Sequence, residues 1–133
     1  MGVYRYHQGV LDSLQVAFTH DPSAKGTFLS ADIHVSPDGL FVYASNRGTE
    51  NNIAIFSIDQ NSGKIKLIGN QPTLGKTPRN FAIEPGGKFL LVANQETGTV
   101  VVFKRDIKTG LLTETGITVN VPQPAVLKFL KTE

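Results

Sequence analysis

The sequence predicts an all-β fold of the β-propeller type, and three observations lead to this prediction. The segment "HVSPDGLFVYASNRG", which begins at His34, returns as "AIEPGGKFLLVANQE" at Ala82, 48 residues later (82 − 34). Each copy contains short alternating segments rich in β-branched residues and separated by turn residues, and no part of the chain has a sustained helical period. Repeats of roughly 40–50 residues that hold four strands are typical of propeller blades.

The two copies align in register over the first half of the repeat and with one residue fewer over the second half. A separation of 48 residues relates Asn46 to Asn94 (94 − 46), whereas Ile53 is related to Val100 by 47 residues (100 − 53). Insertions and deletions of this kind are tolerated in loops. The repeat therefore indicates a structural unit with a loop of variable length.

The repeat divides the chain into two complete blades, approximately 31–78 and 79–124, and two partial blades, 1–30 and 125–133. The opening "VYRYHQGVLDSLQVA" reads like the later "AIFSIDQNSGKIKLI", which places it in the third and fourth strands of a blade. The closing "QPAVLKF" reads like "TPRNFAI" and indicates the first strand of another blade. All of these segments form a single partial propeller domain.

Four strands follow one another within the first complete repeat. "ADIHVS" leads into the turn Pro37–Gly39, where Pro fixes φ and Gly accepts a positive φ, and "LFVYASN" then completes a hairpin. "NIAIFSI", the turn "DQNSG" and "KIKLIGN" supply the remaining strands, and Pro85–Gly87 predicts the matching hairpin in the second repeat. We expect the recurring apolar positions to form the core: Ile33, Val35, Phe41, Val42, Ile55, Phe56, Phe81, Ile83, Leu90, Val102 and Phe103.

The number of blades indicates part of a larger ring. A β-sandwich also contains short alternating strands, but it gives no reason for a repeat of this period. Propellers typically have 4–8 blades, and 133 residues supply fewer than three. We therefore expect a C-terminal part of a propeller that self-associates or needs the missing blades, because its sheet edges and faces are open. Alone it is expected to be inactive, since a site at a channel mouth draws on several blades.

Composition narrows the function classes. The formal charge of +2 arises from scattered Lys and Arg rather than from a basic block, so nucleic-acid binding is not expected. The chain has no cysteine, which excludes disulfides and Cys-based zinc sites. The start of the chain lacks the pattern of a secretory signal, and no apolar run reaches membrane-spanning length. We expect a cytoplasmic protein without a membrane partner.

The repeated segments resemble one known family. "ADIHVSPDGLFVYASNRG", "PRNFAIEPGGKFLLVANQE" and the ending "VPQPAVLKFL" are similar to the C-terminal part of the lactonase family of seven-bladed β-propellers, which is 6-phosphogluconolactonase-like. The similarity extends from about Ser30 to Leu130. The positions that match the family pattern, besides the Ser-Pro-Asp-Gly turn, are His34, Asn46, Arg47, Pro78, Arg79, Asn94 and Gln95.

The resemblance implies an enzyme that hydrolyses 6-phospho-D-glucono-1,5-lactone in the pentose phosphate pathway, without a metal or other cofactor. Its partner would be a phosphorylated sugar lactone. Two alternatives stay open: a lactonising cyclase acting on a carboxylated muconate, which the same family includes, and a non-catalytic propeller that binds a protein. The absence of Trp counts against the best-known protein-binding repeats, which carry a Trp-Asp dipeptide.

The candidate site residues lie where the two copies differ. Arg47 ends a second strand and Arg79 begins the next first strand, so antiparallel pairing places both at one rim. Lactone hydrolysis needs a base, an oxyanion stabiliser and a grip on the phosphate. We predict His34 and Arg47 as catalytic residues and Arg79, Gln95 and Asn46 as substrate-binding residues.

Other residues are expected to have structural roles. Asn46 recurs as Asn94, which also favours a role in satisfying backbone groups at the strand end. Asp38 and Glu84 lie in turns and are expected to be solvated. No His pair has metal-ligand spacing and no Ser lies in a Gly-x-Ser-x-Gly motif, so neither a metal nor a serine nucleophile is predicted.

Overall fold

The computed structural model describes residues 1–130, which contain ten β-strands and no helix. Residues 131–133, the last part of the predicted partial blade 125–133, lie outside the described residues. Residues 121–130 form no strand. The strands are β1 (Gly2–His7), β2 (Val10–Val16), β3 (Phe28–Val35), β4 (Phe41–Gly48), β5 (Asn52–Ile58), β6 (Ile65–Pro72), β7 (Pro78–Ile83), β8 (Phe89–Asn94), β9 (Thr99–Arg105) and β10 (Leu112–Asn120).

The strands form three antiparallel sheets in which sequence neighbours are also spatial neighbours. β1 pairs with β2, and the two four-stranded sheets have the orders β3-β4-β5-β6 and β7-β8-β9-β10. Short connections between alternating segments produce this meander. The all-β fold with two complete four-stranded sheets is confirmed, and β1 and β2 form the partial sheet that was predicted at the start of the chain.

Both predicted hairpin turns are present. The amide of Gly39 donates to the Ser36 carbonyl, and the amide of Gly87 donates to the Glu84 carbonyl, each at 2.8 Å. The φ angles of Gly39 and Gly87 are 73° and 72°. A side chain at either position would be strained in this left-handed conformation, which explains why glycine recurs there.

The main core lies between the two four-stranded sheets. β4 alternates its side chains, so Phe41 and Tyr43 point toward the β7–β10 sheet, where they meet Leu90 and Val92 of β8. Phe81 of the inner strand β7 is fully buried in the same cluster. The sheets therefore pack face to face, as adjacent blades do. The remaining buried members of this cluster are Ile53, Ile55, Val101, Phe103 and Leu112.

A second core lies on the opposite face of the β3–β6 sheet. Val42, Ala54 and Phe56 point away from the main core and pack with Ala17, which follows β2. Met1 and Val3 of the first hairpin are partly buried against this cluster. The central strands β4 and β5 are thus covered on both faces, which accounts for their nearly continuous apolar sequences.

Two predicted core residues are exposed, and that part of the core prediction was wrong. Ile33 and Val35 of β3 retain 52% and 56% of their accessible surface. Their counterparts Phe81 and Ile83 are covered by the β3–β6 sheet, fully and partly respectively. The two-stranded β1–β2 sheet packs against β4, β5 and β6 through Val42, Phe56 and Ile65, and the side chains of Ile33 and Val35 on β3 stay largely uncovered within residues 1–130. The other predicted core residues are buried, except for the partly buried Ile83 and Val102.

A buried arginine joins the two sheets at the end where the hairpin turns lie. The Nη2 atom of Arg105 donates to Asp38 Oδ2 at 2.6 Å, and its Nη1 atom donates to the Gly87 carbonyl at 2.9 Å. Its Nε atom donates to the Tyr43 hydroxyl at 2.7 Å, and that hydroxyl donates to the Gly110 carbonyl at 2.7 Å. Asp38 lies in the turn and is exposed, as expected, but its carboxylate is also the counter-ion of a side chain with 0% exposure, which the sequence did not reveal.

The charges of this pair shift their own protonation equilibria. Burial alone raises the pKa of the Asp38 carboxyl, but hydrogen bonds from Ser36 and Arg105 outweigh it, and the net pKa is lowered. Burial lowers the pKa of Arg105, yet its hydrogen bonds to Asp38 and Tyr43 leave the net pKa raised. Desolvation raises the pKa of the Tyr43 phenol. The ion pair therefore stays charged throughout the neutral range.

We predict that Arg105→Met destabilises the chain by about 3 kcal/mol, because it removes the counter-ion of Asp38 and leaves the Gly87 carbonyl without its donor. This value is at the lower end for one-sided loss of a buried ion pair, since the Asp38 side chain keeps 31% exposure. The free energy of unfolding in urea measures the effect. Lys104→Met, an exposed neighbour on the same strand, is the control and should change it by less than about 0.5 kcal/mol. Equal losses in the two variants would contradict the assigned role.

We also predict that Asp38→Asn makes the free energy of unfolding less dependent on pH in acid. The folded-state pKa of Asp38 lies below the ordinary value of 3.8. Its stabilising contribution is therefore present above that value and is lost as the pH falls through the folded-state pKa. Urea unfolding between about pH 5 and pH 2 should show a shallower decline in the variant. An unchanged decline would mean that Asp38 contributes nothing to acid sensitivity.

Candidate active site

The inner strands β3 and β7 bring His34 into a polar cluster. His34 lies opposite Tyr43 of β4, and its ring meets the Phe81 ring edge-on, with centroids 4.8 Å apart and planes at 80°. Its Nε2 atom lies 2.9 Å from Asp32 Oδ2. The His34 side chain retains 38% exposure, so one side of the imidazole is open. A partly exposed imidazole held by a carboxylate is suited to proton transfer.

Asp32 is the residue of this cluster that sequence reasoning missed. Its Oδ2 atom accepts hydrogen bonds from His34, from the Asn80 side-chain amide and from the Phe81 backbone amide, the last at 3.2 Å. Its Oδ1 atom accepts from the Ile33 amide at 2.9 Å. A sequence signal was available, because Asp32 precedes His34 by two residues and so lies on the same face of the strand.

Asn80 extends the cluster toward the end of the chain. Its side-chain amide donates to Asp32, and its Oδ1 atom accepts the Leu127 backbone amide at 2.7 Å. Asn80 is the repeat counterpart of Asp32 (80 − 32 = 48). The cluster thus joins equivalent positions of two consecutive sheets with the segment that follows the second sheet.

Arg47 lies near the end of β4, and its Nε atom is buried there. It lies opposite Leu29, at the start of β3. Its Nε atom is buried and has no hydrogen-bond partner within residues 1–130. A buried donor without a partner is costly in a protein, so an acceptor from outside this part of the chain would be stabilised there. The arrangement suits an anionic ligand.

Arg79 lies at the same rim as Arg47, and the loop residue Asn51 connects the two positions. The Asn51 side-chain amide donates to the Gly48 carbonyl, next to Arg47, at 3.3 Å. Its Oδ1 atom accepts the Thr77 amide, two residues before Arg79, at 2.8 Å. Arg79 itself is exposed. The rim that carries both arginines is opposite to the end where the hairpin turns and Arg105 lie.

Gln95 lines a shallow cavity at this rim. The cavity has a volume of about 350 Å³ and is lined by Thr77, Gln95, Glu96 and Gln123. Thr77 and Gln123 have φ values of 57° and 47°, which are uncommon for residues other than glycine, and each precedes a proline. The Gln95 amide donates to the Thr77 carbonyl at 2.9 Å. Strained backbone of this kind is frequent where a loop must present a fixed surface.

The side-chain amide of Asn46 forms its hydrogen bonds within the protein. Its amide nitrogen donates to the Thr19 carbonyl and to Asn52 Oδ1, both at 2.9 Å, and the residue is 2% exposed. Asn94 donates in the same way to the Thr73 carbonyl at 2.9 Å. The pair therefore has the same contact in both sheets: each asparagine fixes the loop that leads into the first strand of its unit.

The predicted site residues thus fall into two groups. Arg47, Arg79 and Gln95 share the rim, whereas His34 belongs to the cluster on the inner strands. Within residues 1–130, no hydrogen bond or ion pair joins His34 directly to the rim residues. A ligand held at the rim and extending along the inner strands would be needed to connect the two groups.

Comparison with known proteins identifies relatives of this chain. A family model described as "Lactonase, 7-bladed beta-propeller" matches residues 1–129. A 6-phosphogluconolactonase of Formosa agariphila is 60% identical over 87 residues, which are 65% of this chain and 25% of that protein. The 6-phosphogluconolactonase of Bacillus subtilis is 46% identical over 98 residues, which are 74% of this chain and 28% of that protein.

A solved structure shares the fold over nearly the whole chain. The periplasmic gluconolactonase of Pseudomonas aeruginosa superposes with a TM-score of 0.94 and 34% identity, covering 98% of this chain and 36% of that one. This chain therefore spans about a quarter to a third of the length of the relatives it matches. In the part that the structure describes, no helix has the length and apolar character needed to cross a membrane.

We predict that Asn46→Ala and Asn94→Ala each lower the free energy of unfolding by about 2 kcal/mol, because each leaves a buried carbonyl unpaired. Urea unfolding of the two variants measures this. Asn61→Ala, in an exposed turn, is the matched control and should be close to neutral. A loss for Asn94→Ala without a loss for Asn46→Ala would contradict the shared structural role.

Proposed function

This chain belongs to the lactonase family of seven-bladed β-propellers, and we propose that it is part of a sugar-lactone hydrolase acting on 6-phospho-D-glucono-1,5-lactone. The observation that carries the proposal is the buried, unpartnered Nε atom of Arg47 at the rim. Two relatives at 60% and 46% identity are named for this activity, which supports the choice of substrate.

The proposed chemistry uses His34 as the general base. The imidazole takes a proton from a water molecule, whose oxygen attacks the lactone carbonyl carbon and forms a tetrahedral oxyanion. Collapse of that intermediate breaks the bond between the carbonyl carbon and the ring oxygen. His34 then returns the proton to the departing alkoxide, and the product is the open-chain acid with its phosphate unchanged. Proton transfer by a positioned side chain contributes roughly 10²–10⁴-fold to such reactions.

The rim residues supply charge and orientation. Arg47 and Arg79 are proposed to bind the phosphate and the oxyanion through forked hydrogen bonds. Gln95 is proposed to donate to substrate hydroxyls from the cavity that it lines. Asn46 supports the site by fixing the end of β4, from which Arg47 projects. An arginine is not needed for the strand itself, since Gln95 occupies the position equivalent to Arg47.

We propose that the chain forms blades 31–78 and 79–124 of a larger ring. Residues 1–30 and 125–133 would then belong to blades completed by other strands. The exposed Ile33, Val35 and Phe89 support this, because an adjacent sheet would cover them. The chain alone is proposed to be inactive and to self-associate through these faces. Sedimentation at high concentration tests the association, and a monomer would count against it.

We further propose a cytoplasmic protein of the pentose phosphate pathway. A phosphorylated lactone is an anion that does not cross membranes freely, so its hydrolase would lie in the compartment where it is made. The periplasmic relative from Pseudomonas aeruginosa is named a gluconolactonase, without a phosphate. Activity toward lactones with and without the phosphate therefore distinguishes the two kinds of substrate.

The arginines can be tested in a hybrid in which this chain replaces the matching segment of the Bacillus subtilis relative. We predict that Arg47→Gln and Arg79→Gln each lower kcat/KM by about 30- to 1,000-fold, as expected for lost charge-assisted contacts. A residue that binds the phosphate should affect only the phosphorylated lactone, and one that stabilises the oxyanion should affect both lactones. Spontaneous hydrolysis must be subtracted from every rate.

Lys104→Gln is the control for a lost positive charge at the other end of the sheet, and it should leave kcat/KM unchanged. Thermal midpoints of all variants should stay within a few degrees. Near-normal turnover in both arginine variants would return them to the role of surface side chains. A large fall of the midpoint would make them structural instead.

A further inference from the structure

We propose that Asp32 is the positioning residue for His34 and that it fixes the imidazole as the Nε2–H tautomer, leaving Nδ1 as the atom that takes up the proton. The inference rests on the proposed function of His34 as the base. It adds a residue, a tautomer and a specific nitrogen atom to that function.

The geometry of the carboxylate carries the proposal. Asp32 Oδ2 lies 2.9 Å from His34 Nε2, and the Asp32 side chain is only 21% exposed. An ionised carboxylate accepts hydrogen bonds and cannot donate one. The Nε2 atom must therefore carry the hydrogen, so in the neutral ring Nδ1 has the free electron pair.

Three further hydrogen bonds hold the carboxylate in place. The Asn80 side-chain amide and the Phe81 amide donate to the same oxygen, and the Ile33 amide donates to the other. The backbone donors come from both inner strands, so the carboxylate cannot rotate without breaking contacts to two sheets. Groups that are fixed before the reaction cost no reorganisation during it. Asp32 is therefore a rigid support for the ring.

The edge-on contact with Phe81 restricts the ring from a second direction. The Phe81 side chain is 0% exposed and cannot move aside. The imidazole is hydrogen-bonded to Asp32 through Nε2 and meets the Phe81 ring edge-on, so it keeps one orientation. Since His34 retains 38% exposure, the nitrogen that is not bound to Asp32 is the one available to a ligand.

A purely structural role for Asp32 is the competing interpretation. Asp32 links β3 to β7 through Asn80, and such a link alone would stabilise the sheets without influencing the imidazole. The two roles differ in what they predict for the tautomer of His34. Stability measurements alone would not separate them, so the test must observe the ring directly.

The first measurement is ¹⁵N nuclear magnetic resonance of the histidine side chains in the 133-residue chain. We expect His34 to show the Nε2–H tautomer. The His34 signal is distinguished from those of His7 and His20 because it disappears in the His34→Gln variant. Asp32→Ala should convert this signal to the mixture typical of an unconstrained imidazole. Asp12→Ala, an exposed aspartate on β2, is the matched control and should leave the signal unchanged. A His34 signal that is unchanged in Asp32→Ala, with no Nδ1–H form, would overturn the proposal.

The second measurement is kinetics in the hybrid enzyme. We expect Asp32→Asn to lower kcat by about 10- to 1,000-fold, within the contribution of a general base, with KM changed less than about threefold. Asn80→Ala removes the side-chain part of the link between the sheets, leaves the Phe81 amide contact and keeps the carboxylate beside His34, so it should cost less in kcat than Asp32→Asn. Equal losses in both variants would favour the structural role and overturn the positioning role.

His34→Gln separates this inference from the proposed function. If His34→Gln keeps its kcat, the base assignment of the proposed function fails. If His34→Gln is inactive while Asp32→Asn keeps both kcat and the Nε2–H tautomer, the base assignment stands and the inference about Asp32 alone fails. Thermal midpoints confirm that each variant is folded at the assay temperature.

Discussion

The constraint on which the structure depends is that each four-stranded sheet has two apolar faces and must cover both. Strands β4 and β5 place large side chains on either side, so a single pair of sheets leaves apolar surface open. Phe41 and Tyr43 are covered by the following sheet, and Val42 and Phe56 by the first hairpin. Stacking of repeats, rather than closure of one core, is what satisfies this requirement.

Much of the fold could be predicted from the sequence because the relevant signals are local. The Pro-x-Gly turns, the alternating strands and the spacing of 47 or 48 residues each depend on neighbouring residues. The exposure of Ile33 and Val35 could not be predicted in this way. Their apolar character is the same as that of Phe81 and Ile83, and only the three-dimensional arrangement shows which inner strand has a sheet over it.

The candidate site could also be predicted in part, because the two copies of the repeat can be compared residue by residue. The differences between the two copies predicted His34 and Arg47 as site residues, because a residue that every blade needs for its fold would be present in both copies. The partners of His34 needed the structure, because Asn80 reaches Asp32 from 48 residues away along the chain. The ion pair of Asp38 with Arg105 joins residues 67 apart and has no sequence pattern that would reveal it.

That ion pair also distinguishes one junction between repeats from the others. The repeat counterpart of Asp38 is Gly86 (86 − 38 = 48), and that of Arg105 is Ile58 (105 − 58 = 47). Neither counterpart can form the pair, so within residues 1–130 this contact belongs to the junction between the β3–β6 and β7–β10 sheets. Sheets with similar sequences could in principle pack against one another in more than one order. A wrong order would leave the buried Arg105 without the Asp38 carboxylate, which would cost free energy. The buried ion pair would therefore favour the native order of these two sheets over an exchanged one.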